Sequence, residues 1–192
     1  MLRKTYDWLL AQSAKPGAMW VMGAISFAES SFFPMPPDIM MIPMIVENRR
    51  RAFWIATVAT LTSVLGAYLG YFIGHYFYAA IGEKILVVYG LSDRVHSLIN
   101  SFNQYGVEII LLKGMTPIPF KLVTIASGIA HFDLLKFTFA CIVSRAVRFY
   151  VVAALLYFIG EPAREFIEKR LTLVTTVIVV LLVGGFFALK FL

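Results

Sequence analysis

The stretch that most restricts this chain lies between Gly17 and Val46, 30 residues that are apolar yet interrupted by Glu29, Pro34, Pro36, Pro37, Asp38 and Pro43. Proline lacks the amide proton of the helical ladder and its ring collides with the preceding turn, so prolines at this density exclude one straight helix. An unbroken helix would also run ~45 Å, against a bilayer core of ~30 Å. Two half-length arms meeting at a Pro-rich tip fit instead. Arg3, Lys4 and Lys15 precede the segment and Arg49, Arg50 and Arg51 follow it. Cytoplasmic loops are enriched in Lys and Arg, so both ends and the N-terminus are expected on the cytoplasmic side. Segment 17–46 is predicted to be a re-entrant hairpin. The alternative is a short span ending near Phe33, followed by a second element.

Composition makes lipid the solvent. Of 192 residues, 60% are hydrophobic and 15% charged, with a mean hydropathy of +0.81, too apolar for an ordinary soluble domain. The net charge of +6 is scattered between apolar segments, which argues for membrane orientation and against nucleic acid. The single cysteine, Cys141, excludes an internal disulfide or a cysteine metal cluster and reads as a packing residue. The N-terminal stretch has no apolar run of signal-peptide length, so the protein is expected to keep its N-terminus.

Residues 1–16 place Leu2, Tyr6, Leu9 and Leu10 on one helical face, with Trp8 available to the headgroup region, and read as an amphipathic interfacial helix. Residues 52–81 read as a span whose Gly66, Gly70 and Gly74 form a small-residue stripe for close helix packing. Such a stripe serves self-association into a homo-oligomer or packing within the chain equally well. Residues 82–105 are a polar connector with amphipathic pieces. Residues 107–130 repeat the opening pattern, apolar but broken by Lys113, Pro117, Pro119 and Lys121, and read as a second re-entrant hairpin. Residues 137–159 form the next span, with Arg145 and Arg148 inside it, and 161–192 a charged linker and a last transmembrane helix.

The expected architecture is an all-α integral membrane protein with its core in 17–160. Pro34-x-Pro36 followed by Tyr71-Phe72-Ile73-Gly74 recurs as Pro117-x-Pro119 followed by Tyr157-Phe158-Ile159-Gly160. One span separates the two hairpins, so the second enters from the opposite face. That makes an inverted repeat, an architecture associated with transport and with binding near the midplane.

Glu29, Asp38, Lys113, Lys121, Arg145 and Arg148 fall inside membrane segments. A charge facing lipid costs about 2.5 to 3.5 kcal/mol on insertion scales, so these six should pair or line a wet cavity. The acids lie in the first hairpin and the bases in the second half. Four bases against two acids leave a positive surplus suited to an anionic headgroup. Arg145 and Arg148, three residues apart, share a helix face.

With these residues in view the chain resembles the DedA family, the bacterial branch of the VTT-domain (SNARE-associated) superfamily, and most of all its shorter YqaA-type members, from about Trp20 to Gly160. The likeness is carried by Glu29-Ser-Ser-Phe-Phe-Pro34-Met-Pro36-Pro37-Asp38, by Gly70 to Gly74 with Gly82-Glu83-Lys84 after it, and by Lys113-Gly-Met-Thr-Pro117, Pro119-Phe-Lys121 and Ala126-Ser-Gly128. Two departures stand out. Lys113 and Lys121 replace arginines found in many members, losing bidentate phosphate geometry, and Ala67 follows Gly66 where many members carry an acid.

The resemblance implies a bacterial inner-membrane protein that moves lipids between leaflets, its partners being anionic phospholipid or polyprenyl phosphate and, where transport is coupled, protons. Lys113, Lys121, Arg145 and Arg148 are the expected headgroup contacts; Glu29 and Asp38 organise the tips or carry protons. The alternative function is a proton- or ion-coupled transporter of a small solute. A structural assembly factor would tolerate neutralising all six charges. Catalysis has no motif: His75, His96 and His131 are scattered, and neither Gly-x-Ser-x-Gly nor a zinc-type histidine pair occurs. No cofactor or metal is expected.

Overall fold

The computed structural model describes residues 8, 12–32, 36–78, 92–115 and 119–160. They form α1 (Ala18–Ser31), α2 (Asp38–Glu47), a 3-10 turn (Arg49–Arg51), α3 (Ala52–Phe77), α4 (Ser92–Met115), α5 (Phe120–Ile129) and α6 (Leu134–Phe158), with no strand among the described residues. Most of the N-terminal interfacial helix and all of the C-terminal span expected from the sequence lie outside the described residues, as do Pro34 and Pro117.

Helix lengths separate these elements into two kinds. α3 has 26 residues and α6 has 25, roughly 38 Å each and enough to cross a ~30 Å core. Both are long and apolar enough to cross a membrane. On one side they are buried; on the other they expose Trp54, Leu61, Leu65 and Phe72, and Phe139, Ile142 and Phe158. Helices apolar all round belong in lipid. α1, α2 and α5, with 14, 10 and 10 residues, reach only ~15 to 21 Å.

The prolines that break the chain also start the next helices. Pro37 and Pro119 are the N-cap residues of α2 and α5, and their carbonyls accept from Met41 and Leu122 at 3.0 Å. Pro43 lies inside α2, which continues through it; at the sixth helical residue it removes one amide donor without ending the helix. α4 bends at Tyr105, whose φ of −130° and ψ of 25° are not helical. At the bend, Gly106 lies against the ring of Phe132, where a Cβ would collide, so its missing side chain lets residues 106–115 swing in as a separate arm.

The two long helices run antiparallel. Thr57 meets Tyr150 at 2.7 Å, Ser63 meets Arg145 at 2.7 Å and Tyr68 meets Thr138 at 2.6 Å. The short arms lie end to end beside them. Along α3, α1 comes first: Ser26 bonds to the carbonyl of Ala59, and Ser30 to Ser63. α5 then takes over at Gly70, where a Cβ would collide with Thr124, and at Gly74, where it would strike the carbonyl of Ile125. Along α6, residues 106–115 come first, with Gly114 against Ser144, and α2 follows from the Asp38–Arg148 contact onward.

Glycine permits these approaches. A Cβ on Gly66 would overlap the carbonyl of Phe27, and one on Gly128 that of Tyr71. At the junction Thr124 Oγ1 lies 3.1 Å from the carbonyl of Ser30. A hydroxyl of α5, its one proton shared with the carbonyl of Lys121 at 2.9 Å, thus reaches the C-terminal end of α1, where unpaired backbone groups are costly away from water. Apolar packing splits into two clusters at the same level. One holds Met22, Met40, Ile45, Ile55, Phe149 and Leu156, the other Val64, Tyr71, Ile110, Phe120 and Phe137.

Candidate functional site

Between the two apolar clusters lies a layer of charge. Arg145 projects from the middle of α6 and has no exposed surface. Its Nη2 donates to Glu29 Oε2 at 2.8 Å and its Nε to Ser63 Oγ at 2.7 Å. Ser63 Oγ lies 2.6 Å from Ser30 Oγ, and Ser30 Oγ lies 3.3 Å from Glu29 Oε2. With the Ser30 hydroxyl donating to the Glu29 carboxylate, Ser63 donates to Ser30, and the four groups close a ring. The guanidinium faces are covered by Phe120 and Phe149, at 4.6 and 4.8 Å to the ring centroids, one ring from each apolar cluster. Such stacking is worth about 2 kcal/mol or more when desolvated.

One helical turn further along α6, Arg148 Nη2 donates to Asp38 Oδ2 at 3.0 Å. Asp38 is the first residue of α2, where a carboxylate is favoured by the helix dipole. Its side chain is 4% exposed and that of Arg148 14%. Asp38 Oδ1 and Arg145 Nη1 are buried and have no hydrogen-bond partner among the described residues. Both acids of the first hairpin region are therefore matched to arginines of α6, across 116 and 110 residues of sequence.

The other candidates take different places. Lys121, in the first turn of α5 and next to Phe120, is half-buried and joins no ion pair among the described residues. Lys113 is exposed on the last turn of α4. Gly66, Gly70 and Gly74 face the junction of α1 and α5; Pro36, Pro37 and Pro119 precede the short helices. Arg145 differs most from its expected role: in this conformation a headgroup reaches it only if α1, α5 or the α6 packing moves. Sequence reasoning did not assign roles to Ser30, Ser63, Phe120, Phe149 or Thr124. The available signal was two hydroxyls in apolar segments, one of them beside Glu29.

The histidines are less scattered than their spacing suggests. His75 and His131 approach to 4.4 Å between ring centroids, while the side chain of His96 lies outside the described residues. Among the described residues no three His, Cys, Asp or Glu side chains group to hold a metal.

Two apolar helices long enough to span, half-length helices abutting beside them and a charge layer between fit an all-helical membrane protein. The VTT domain model matches residues 35–158, and the chain belongs to the VTT-domain, or DedA/SNARE-associated, family. Its members are membrane proteins proposed as transporters or lipid flippases. An uncharacterized protein of Haemophilus influenzae is 33% identical over 190 residues, covering 99% of this chain and 96% of the relative. An uncharacterized protein of Histophilus somni is 28% identical over 166 residues, covering 86% of each. No solved structure matches the chain.

Proposed function

We propose that this protein moves an anionic lipid, a phospholipid or polyprenyl phosphate, between the leaflets of a bacterial inner membrane, with its N-terminus in the cytoplasm. In this reading 17–46 and 107–130 are re-entrant hairpins entering from opposite faces, an inverted repeat built on α3 and α6. The observation that carries it is the junction: short helices meet end to end beside each antiparallel long helix, and charge is concentrated at that level. Lys15, Arg49, Arg50 and Arg51 at one end of the molecule support the orientation.

In this reading the expected roles divide. Glu29 and Asp38 neutralise Arg145 and Arg148, so the latch between α1, α2 and α6 is close to charge-neutral, and Lys121 is the cation next to it that meets the phosphate. Acyl chains stay in lipid while the headgroup passes between the tips, which lowers the barrier to carrying an anion through hydrocarbon. The test is leaflet exchange of a fluorescent anionic phospholipid in proteoliposomes. Lys121→Gln should slow exchange at least tenfold while leaving the melting temperature unchanged. Undiminished exchange in that variant overturns the assignment.

One observation favours the second reading, a proton-coupled carrier of a small solute. Asp38 Oδ1 is buried and has no hydrogen-bond partner among the described residues, an acceptor atom in the charge layer that the ion pair does not use. Exchange that is insensitive to a pH gradient, combined with failure of small solutes to compete, eliminates it.

A further inference from the structure

The cytoplasmic end in this orientation carries a second feature that the transport reading does not use. Residues 13–17 and the start of α1, the C-terminal end of α2 and the start of α3 line an open cavity of about 680 Å³, within the ~300 to 1,000 Å³ typical of small-molecule sites. Its charged lining is Lys15, Arg51 and Glu47, and its apolar lining includes Trp20, Met44 and Ile55. Glu47 pairs with neither cation, since the ion pairs among the described residues are Arg145–Glu29 and Arg148–Asp38. Arg49 and Arg50 are exposed next to it on the same turn. Trp20 is 86% exposed, as an indole at the lipid–water boundary would be.

From this cavity we infer a resident binding site for one anionic phospholipid of the cytoplasmic leaflet, its phosphate between Lys15 and Arg51 and its glycerol and upper acyl chains against Trp20, Met44 and Ile55. Basic pockets between helices on the cytoplasmic side are where anionic headgroups are held. Arginine adds a bidentate fork for phosphate oxygens. A free phosphate ion would use the two cations but gain nothing from the apolar wall, which favours the lipid. The site is separate from the charge layer: Arg51 and Ser63 are about 18 Å apart along α3, and no residue of the layer lines the cavity. A lipid bound here joins three chain segments at one end of the molecule and has no path to cross.

The test is native mass spectrometry of the full chain, purified in a zwitterionic detergent and offered phosphatidylglycerol or phosphatidylcholine. The wild type should retain one phosphatidylglycerol in preference to phosphatidylcholine. Lys15→Gln and Arg51→Gln should each weaken retention about fivefold, with the melting temperature of the lipid-free protein unchanged because both side chains are exposed. Lys136→Gln, at the opposite end of α6, should leave retention intact. Equal retention of the two lipids, or full retention by the Lys15→Gln/Arg51→Gln double variant, overturns the site. Displacement by millimolar inorganic phosphate without regard to the acyl chains overturns the lipid assignment. Leaflet exchange in the same variants keeps the two proposals apart: lost retention with exchange intact supports a site independent of the transport path.

Discussion

The two ion pairs of α6 are one helical turn apart and built on opposite principles. Arg145–Glu29 is sealed at its arginine: the guanidinium has a carboxylate, a serine and two aromatic faces, and no exposed surface, while Glu29 is 13% exposed. Arg148–Asp38 makes one bond, keeps part of its arginine exposed and leaves one buried carboxylate oxygen without a partner among the described residues. A buried pair is held by the contacts that surround it as much as by its own attraction. The inner pair also leaves one atom, Arg145 Nη1, buried without a partner among the described residues, but its second hydrogen bond, to Ser63, and its two covering rings fix α1 to α3 and α6. The outer pair has neither among the described residues, and is the easier one to open.

Removing one partner of the sealed pair should have the largest effect. Glu29→Gln leaves Arg145 buried without its counter-charge and should cost about 3 kcal/mol or more, read as a drop in melting temperature in detergent. Adding Arg145→Met should restore much of that loss. If the single variant melts like the wild type, the inner pair is not the latch. Next, Gly66→Ala drives a methyl group into the carbonyl of Phe27 and pushes α1 off α3. Overpacking of this kind costs about 1 to 3 kcal/mol, and it should weaken the inner pair while leaving the outer one in place. Chemical denaturation combined with the Asp38→Asn variant tests this, since the two effects should add.

Asp38→Asn itself should cost only about 1.5 kcal/mol, the range of one hydrogen bond to a charged group, because Arg148 is not fully enclosed. A loss as large as that of Glu29→Gln would erase the distinction between the pairs. A comparable effect, about 1.5 kcal/mol, is expected of Ser63→Ala, which also removes one hydrogen bond to a charged group, that of Arg145 Nε, and brings the inner pair a step closer to the outer one. Leaflet exchange that rises in Ser63→Ala would sharpen the view that the latch limits transport.

Much of this was legible locally. Pro37 and Pro119 lack an amide proton wherever they stand, and the position of the breaks follows from that alone. The apolar length of α3 and α6 needs no tertiary context either. Pro43 was less transparent, since a proline in the second turn of a helix loses a single bond and the chain continues. The pairings were not legible at all: charge and burial state that Glu29 needs a base, but four bases were available and the choice of Arg145 is made by packing across 116 residues. Ser63 was invisible for the same reason, because a serine in a span acquires a role only when a donor is brought beside it. Arg145 read as an anion contact because its sequence shows its charge and not the two rings that cover it.

The end-to-end seating of the short helices also has a mechanical side. Each long helix carries a jointed rail, two pieces meeting without a covalent bond, with the joint at Gly70 on α3 and between Ser144 and Arg148 on α6. Sliding either piece breaks side-chain contacts at the joint, such as Thr124 to the carbonyl of Ser30, and leaves the hydrogen-bond ladder within every helix whole. Parting the pieces at the centre would melt no helix and would leave α3 and α6 as the frame.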